Sequence, residues 1–251
     1  MNFTESGSGP TILFVHGSCI TAQTCYGNVV PLMKNEYRCV LCGLDGHEED
    51  SDSVFGTIDE ECEGIEKYLE QNYNSHVEAI VGLSLGSTII VRLLERARIT
   101  ADKIILDGVY CVNMGKAYAK FAEVAARGGV RMLVKGKKVP DGLVGMLFGE
   151  GNTSVLDMLY PGITGESIKN VCSEVYLYNL SPDVGKTETE VLCVRGENEP
   201  ISQKSYELLA RYIKNISQKV IPGKGHSQFL YEQPDEYARM LKEAIGAAQQ
   251  A

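Results

Sequence analysis

The 251-residue sequence contains no tryptophan, so any apolar pocket it builds must be lined by Tyr, Phe, Leu and Met. It has no apolar run near the ~18 residues that a membrane-spanning helix needs. The opening Met1-Asn2-Phe3-Thr4-Glu5 lacks a basic stretch followed by an apolar one, so no secretory signal is expected. The four histidines are scattered, without the H-x-x-x-H or H-E-x-x-H spacing of a metal site. No Gly-Lys-Ser/Thr follows a strand-like run, as a phosphate loop requires. Positive charge is in deficit, with 24 Lys and Arg against 33 Asp and Glu and a net charge of −9. That sign opposes binding to nucleic-acid phosphates. There is no repeat of fixed period, which excludes a solenoid. The expectation is a protein with no cofactor, no metal, no nucleic-acid partner and no membrane span.

Hydrophobic residues make up 44% of the chain and charged residues 23%, the balance of a globular domain. The eight cysteines, at positions 19, 25, 39, 42, 62, 111, 172 and 193, sit mostly in apolar runs. In a chain large enough to build its own core they read as reduced, buried thiols, and the expected location is cytoplasmic. Cys39-Val-Leu-Cys42 has C-x-x-C spacing but falls in a strand-like run, where residues i and i+3 face opposite sides. A redox or zinc role is therefore not expected of it.

Short β-rich runs recur at Thr11–Val15, Tyr37–Leu41, Val77–Val81, Lys103–Leu106, Glu190–Val194 and Ser217–Ile221. They are continuously apolar, as parallel strands buried on both faces are. Helical patterns separate most of them. Thr57 and Glu60 make a capping box ahead of Ile58, Cys62, Ile65 and Leu69, which share one helical face. Tyr206, Leu209 and Ile213 mark a second helix, and Tyr237, Met240, Leu241 and Ile245 a third. The alternation implies an α/β fold with a doubly wound, mostly parallel sheet.

One interval breaks the rhythm. Between Leu106 and Glu190 no strand is apparent, and Gly128-Gly129, Pro140, Pro161 and Pro182 interrupt apolar helical stretches. It is too long for an ordinary connection between a helix and a strand. Residues 111–186 therefore read as an inserted helical lid, with 1–110 and 187–251 forming the core. The insertion holds nine basic and seven acidic residues, net +2, which leaves −11 on the core. Five of the basic residues lie between Arg127 and Lys138 and read as a solvated face.

The chemistry begins at Gly82-Leu83-Ser84-Leu85-Gly86, a G-x-S-x-G directly after a strand-like run. The glycines have a steric reason: a Cβ at either flanking position of so tight a turn would strike neighbouring backbone. Composition alone would produce the motif in about one such chain in six, so its context matters. Downstream, Ile89, Ile90, Leu93, Leu94 and Ala97 fall on one helical face. Thr88-Ile-Ile-Val91 favours strand by local propensity, but a strand-to-helix turn requires a helix here. Its N-terminus then favours negative charge developing at the serine. His16-Gly17-Ser18 follows the first clear strand, and Gly225-His226 follows the last.

With these pieces in this order, the chain resembles the α/β-hydrolase superfamily of serine hydrolases with a helical lid, from about Thr11 to the C-terminus. The resemblance implies Ser84 as nucleophile and His226, in Gly223-Lys-Gly-His226, as its base. Alone, Ser84 would read as a helix N-cap and His226 as a loop histidine; placement and order favour catalysis. The family often carries its acid in a G-x-x-D turn, and here Gly196-Glu-Asn-Glu199-Pro200 puts Glu199 there. Asp107, ending the neighbouring strand where some members place the acid, and Glu197 are the alternatives. The implied oxyanion hole uses the backbone N–H of Leu85 and of Ser18, with Cys19 as an alternative to Ser18. His16 is expected to hold the loop that presents Ser18, His47 to be a structural turn residue, and His76 an exposed turn residue.

Two departures are visible. Only ten residues precede Thr11, too few for the two edge strands usual in the family, so six or seven strands are expected. Ser87 stands where a second glycine often follows the elbow, and little consequence is expected. The implied activity is hydrolysis of a carboxylic ester of a small or medium apolar substrate through an acyl-enzyme, carboxylesterase-like and without a cofactor. Met114, Tyr118, Phe121, Met132, Leu133, Met146, Leu147, Phe148, Met158, Leu159 and Tyr160 of the insertion suit an apolar acyl or aryl group, the alternative being that most form the insertion's own core. Because fold does not fix chemistry, C–C bond or lactone hydrolysis, a lyase reaction, or a ligand-binding or signalling role with vestigial catalysis are alternatives.

Overall fold

The computed structural model describes residues 1–49, 52–142, 144 and 154–248. Seven strands form one sheet: β1 (Asn2–Ser6), β2 (Thr11–Val15), β3 (Arg38–Gly43), β4 (His76–Leu83), β5 (Thr100–Asp107), β6 (Glu190–Gly196) and β7 (Ile216–Ile221). Their order is β1-β3-β2-β4-β5-β6-β7. β1 pairs antiparallel with β3, and every other pairing is parallel. The short segment before Thr11 thus supplies one edge strand.

The parallel strands alternate between two cores, because both faces of the sheet are covered. Ile12 and Phe14 of β2 face one core, and Leu13 and Val15 the other. The first core is covered by α1 (Ala22–Tyr26), α2 (Val30–Met33) and a C-terminal helix whose Tyr237, Met240, Leu241 and Ile245 are all buried. The second is covered by α3 (Ile58–Tyr73) and α4 (Leu85–Arg96). α3 starts at the expected capping box: the Glu60 N–H donates to Thr57 Oγ1 at 3.2 Å, and the Thr57 N–H to Glu60 Oε2 at 2.8 Å.

Thr88–Val91 is helical despite its β-branched composition, and Ile89, Ile90 and Leu93 are fully buried. Ala97 differs from its expected place. It is the left-handed residue ending α4, with φ +51°, and is exposed rather than on the buried face. Arg92 and Arg96 tie α4 to Asp59 and Glu66 of α3. Cys39 and Cys42 lie in β3 as buried free thiols, and Cys19 alone among the eight cysteines is partly accessible.

Between β5 and β6 the chain leaves the sheet. It forms α5 (Lys116–Val134) and α6 (Gly165–Tyr176), which pack against each other. No strand occurs in this interval among the described residues. Met146, Leu147 and Phe148, named as suited to an apolar group or to the insertion's own core, lie outside the described residues. After β6 come α7 (Pro200–Leu209), α8 (Gln228–Glu232) and α9 (Pro234–Ala248), the C-terminal helix already noted. Ile213 lies beyond the end of α7 but is buried all the same. No helix among the described residues is long and apolar enough to cross a membrane.

Candidate active site

The residues singled out for chemistry lie at or just past the carboxyl ends of parallel strands, where open α/β sheets place their sites. Ser84 follows β4 with φ +52°, ψ −111°, a conformation L-residues rarely adopt. The glycines of the elbow have the expected steric cause. A Cβ on Gly82 would sit 2.7 Å from Gly86 C and Ser87 N, and one on Gly86 would sit 2.6 Å from Val15 C. The strained residue is pinned by its N–H, which donates to Asp107 O at 2.8 Å. Ser87, where the family often has glycine, donates its hydroxyl to Gly82 O at 2.8 Å and to Asp107 O at 2.9 Å. It ties the elbow to β5, a role that spacing alone did not reveal.

Three of the expected side chains meet. Ser84 Oγ lies 2.9 Å from His226 Nε2, and Glu199 Oε2 lies 2.8 Å from His226 Nδ1. Glu199 precedes α7, and its carboxylate is fixed from both sides. Gly196 N–H donates to Oε1 at 2.7 Å, and the Ser202 hydroxyl to Oε2 at 2.9 Å. Burial opposes a charged His226 ring, but the adjacent Glu199 carboxylate outweighs it and holds the histidine above its ordinary pKa. Glu199, for its part, lies below the usual carboxylate range despite its burial, because the His226 charge and these hydrogen bonds favour the ionised form.

The rival carboxylates sit elsewhere. Glu197 accepts the Gly223 N–H at 2.9 Å in an exposed turn. Asp107 is buried with the Tyr237 hydroxyl beside its carboxylate. Burial, reinforced by the Glu199 charge, pushes its carboxyl up to about 7. Gly108, next to it, has φ +59°, and a Cβ there would lie 2.6 Å from His226 Cε1 and 2.8 Å from His226 Nδ1. Only glycine leaves room for the histidine and its acid to meet. The dipeptide Asp107-Gly108 carried that signal, since a glycine just past a strand end marks close approach or positive φ.

His16 is fully buried with Nδ1 2.7 Å from Gly17 O, and its Nε2 accepts the Leu44 N–H at 3.0 Å. Burial drops its pKa to about 3, so the ring is neutral and joins the β2 and β3 loops. His47 is buried too, with Nδ1 2.9 Å from Asp45 O. His76 is exposed, as the first residue of β4 rather than in a turn. Ser18 and Leu85 border the same cavity as Ser84. Neither N–H donates a hydrogen bond among the described residues. Cys19, between Ser18 and α1, has φ +60°, and its carbonyl accepts the Tyr160 N–H at 2.7 Å. Among the described residues no three His, Cys, Asp or Glu side chains are grouped to hold a metal ion.

Residues 12–240 match the alpha/beta hydrolase family. The protein belongs to that family. No curated protein matches it. Among solved structures, an alpha/beta hydrolase family protein of Desulfitobacterium hafniense superposes with a TM-score of 0.85 at 23% identity, covering 96% of this chain and 99% of that one. MenH from S. aureus gives 0.76 at 17% identity, covering 99% and 98%. A thermophilic esterase from Thermogutta terrifontis gives 0.76 at 16% identity, covering 98% and 93%. At these identities the likeness is one of fold.

In this alpha/beta hydrolase the cavity at Ser84 has a volume of about 80 Å³. Of the insertion, Leu156, Leu159 and Tyr176 are among its large lining residues. Most of the α5 wall is small: Ala122, Ala126 and Gly129. Phe121 points outward and is 46% exposed. Tyr110 stacks on His226 with ring centroids 5.1 Å apart and bridges to Tyr176, whose ring centroid is 6.2 Å away. Neither tyrosine was evident from the motifs, because their role depends on stacking across distant segments.

Proposed function

We propose that the protein is a serine hydrolase that cleaves a carboxylic ester of a small or medium apolar acid, carboxylesterase-like and through an acyl-enzyme. One observation carries the reading. Ser84 Oγ, His226 and Glu199 stand in a line of hydrogen-bond contacts of 2.9 and 2.8 Å, with the serine on a strained turn at the mouth of an apolar cavity.

The steps follow from that line. Neutral His226 carries its proton on Nδ1, toward Glu199, and Nε2 accepts the Ser84 hydroxyl proton. Ser84 Oγ bonds to the ester carbonyl carbon as His226 takes the proton. The negative charge moves to the carbonyl oxygen, where the N–H groups of Leu85 and Ser18 receive it, each such donor contributing roughly 2.7–4 kcal/mol to the transition state. His226 returns the proton to the departing alcohol oxygen as its bond to carbon breaks. Water then repeats the sequence on the acyl-enzyme and releases the acid. In this reading Glu199 orients the ring and stabilises its charged form. Residues 111–186 act as a helical lid that supplies one wall of the cavity over a core made of 1–110 and 187–251.

The test is turnover of 4-nitrophenyl esters by the wild-type protein and by Ser84→Ala. The reading requires the first to hydrolyse at least one ester and the second none above background.

A further inference from the structure

The cavity extends past Ser84 into the insertion. On one side its wall is Ala122, Ala126 and Gly129, which share a face of α5; on the other it is Ile168, Cys172 and Val175, which share a face of α6. No charged side chain lines it among the described residues. Lys120 and Arg127 of α5 are turned aside to pair with Glu123, at 2.8 and 3.0 Å. Gly129 lies inside α5, where glycine is unfavourable relative to alanine. A Cβ on it would meet nothing within 4 Å. It is helical and without positive φ, so neither turn geometry nor close approach requires a glycine. What glycine provides at this position is empty space.

We propose that the acyl chain of the ester lies between α5 and α6, and that Gly129 sets the chain length the enzyme accepts. This rests on the serine hydrolase reading given above. The acyl group, not the alcohol, takes the cavity because of what borders it. Ser84, Ser18 and Leu85 line it, whereas His226 does not. The alcohol must receive its proton from His226 Nε2 and leave on that side, while the acyl group stays bonded to Ser84. Along α5, Ala122 to Gly129 spans about 10 Å at 1.5 Å per residue. A cavity of about 80 Å³ accommodates roughly five to eight heavy atoms. The preferred acid is therefore uncharged along its chain and about six carbons long.

The experiment is a series of 4-nitrophenyl esters from acetate to decanoate, in which the alcohol is constant. Wild type should peak near hexanoate. In Gly129→Phe the hexanoate-to-acetate ratio of kcat/KM should fall at least ten-fold, and Gly129→Val should give an intermediate shift. Gly128→Phe, on the neighbouring position that does not line the cavity, should keep the wild-type ratio. Soluble Gly129 variants with an unchanged profile would overturn the proposal. So would a profile that follows alcohol length in a series of acetates instead of acyl length. Failure of the catalytic reading appears differently, as an absence of turnover at every chain length. In that event calorimetric titration of the Ser84→Ala protein with methyl hexanoate still decides the matter: binding should weaken at least ten-fold on adding Gly129→Phe, and equal binding would overturn the assignment.

Discussion

Glu199 Oε2 lies 2.8 Å from His226 Nδ1, reaching from the loop after β6 to the loop after β7. Those loops are locked together where Asn198 N–H donates to Lys224 O at 3.0 Å and Glu197 N–H to Ile221 O at 3.0 Å. The extra methylene of glutamate, relative to aspartate, is accommodated because its carboxylate is held by Gly196 and Ser202 rather than left to rotate. Glu199→Gln should lower kcat on the order of 10⁴-fold, since the imidazolium loses its partner and the wrong tautomer is favoured. Asp107→Asn and Glu197→Gln should each cost far less. Steady-state kinetics of the three variants on one ester checks the order.

The pH profile carries a second expectation. Glu199 raises the His226 pKa, so kcat/KM should rise with pH through a midpoint above the ordinary imidazole value of about 6.5. Removing the Glu199 charge leaves burial opposed by the smaller effect of Asp107, so residual activity in Glu199→Gln should show a lower midpoint. A pH–rate curve on both proteins tests it.

Gly108→Ala places a methyl group 2.6 Å from His226 Cε1 and forces a positive φ on alanine. The histidine must shift, so kcat should fall at least ten-fold while the circular dichroism spectrum stays native. An inhibitor that binds the cavity without meeting His226 should bind as before.

A buried carboxyl away from the site makes stability depend on pH. Glu61 in α3 is 1% exposed, and burial, together with the nearby Asp45 charge, pushes its pKa up to about 8. The folded pKa is above the unfolded one, so the contribution is present at low pH and lost as pH rises through about 8. The wild-type melting temperature should fall between pH 6 and 9. In Glu61→Gln, which keeps an acceptor for the Asp45 N–H, it should fall less. Thermal melts at the two pH values check this.

The strand–helix alternation and the elbow were legible because they depend on local rules: apolar runs, Thr57 with Glu60, Gly82 and Gly86 around Ser84. The strands run longer than their apolar cores, and the expected Val77–Val81 is in fact His76–Leu83, since ladder pairing continues to the elbow itself. Glu199 was favoured over Asp107 and Glu197 by its place in the turn after the glycine, but all three lie near strand ends, and side-chain direction, which spacing does not encode, is what separates them. Gly108, Ser87 and Tyr110 act through contacts across the sheet or over the histidine, which spacing does not encode. Tyr118, Tyr160, Met132 and Leu133 pack into small clusters of the insertion, and Leu159 lines the cavity. Large apolar residues stand out in a sequence, but a cavity between two helices exists where residues are small, and Ala122, Ala126 and Gly129 line it.

The central claim is that Ser84 attacks the substrate. Incubation with a fluorophosphonate, followed by digestion and mass spectrometry, tests it without knowledge of the natural ester. The account predicts a single phosphonyl adduct on Ser84, absent from Ser84→Ala, with ester turnover in that variant reduced on the order of 10⁶-fold. An unlabelled Ser84, or Ser84→Ala protein that turns over esters at the wild-type rate, would contradict it.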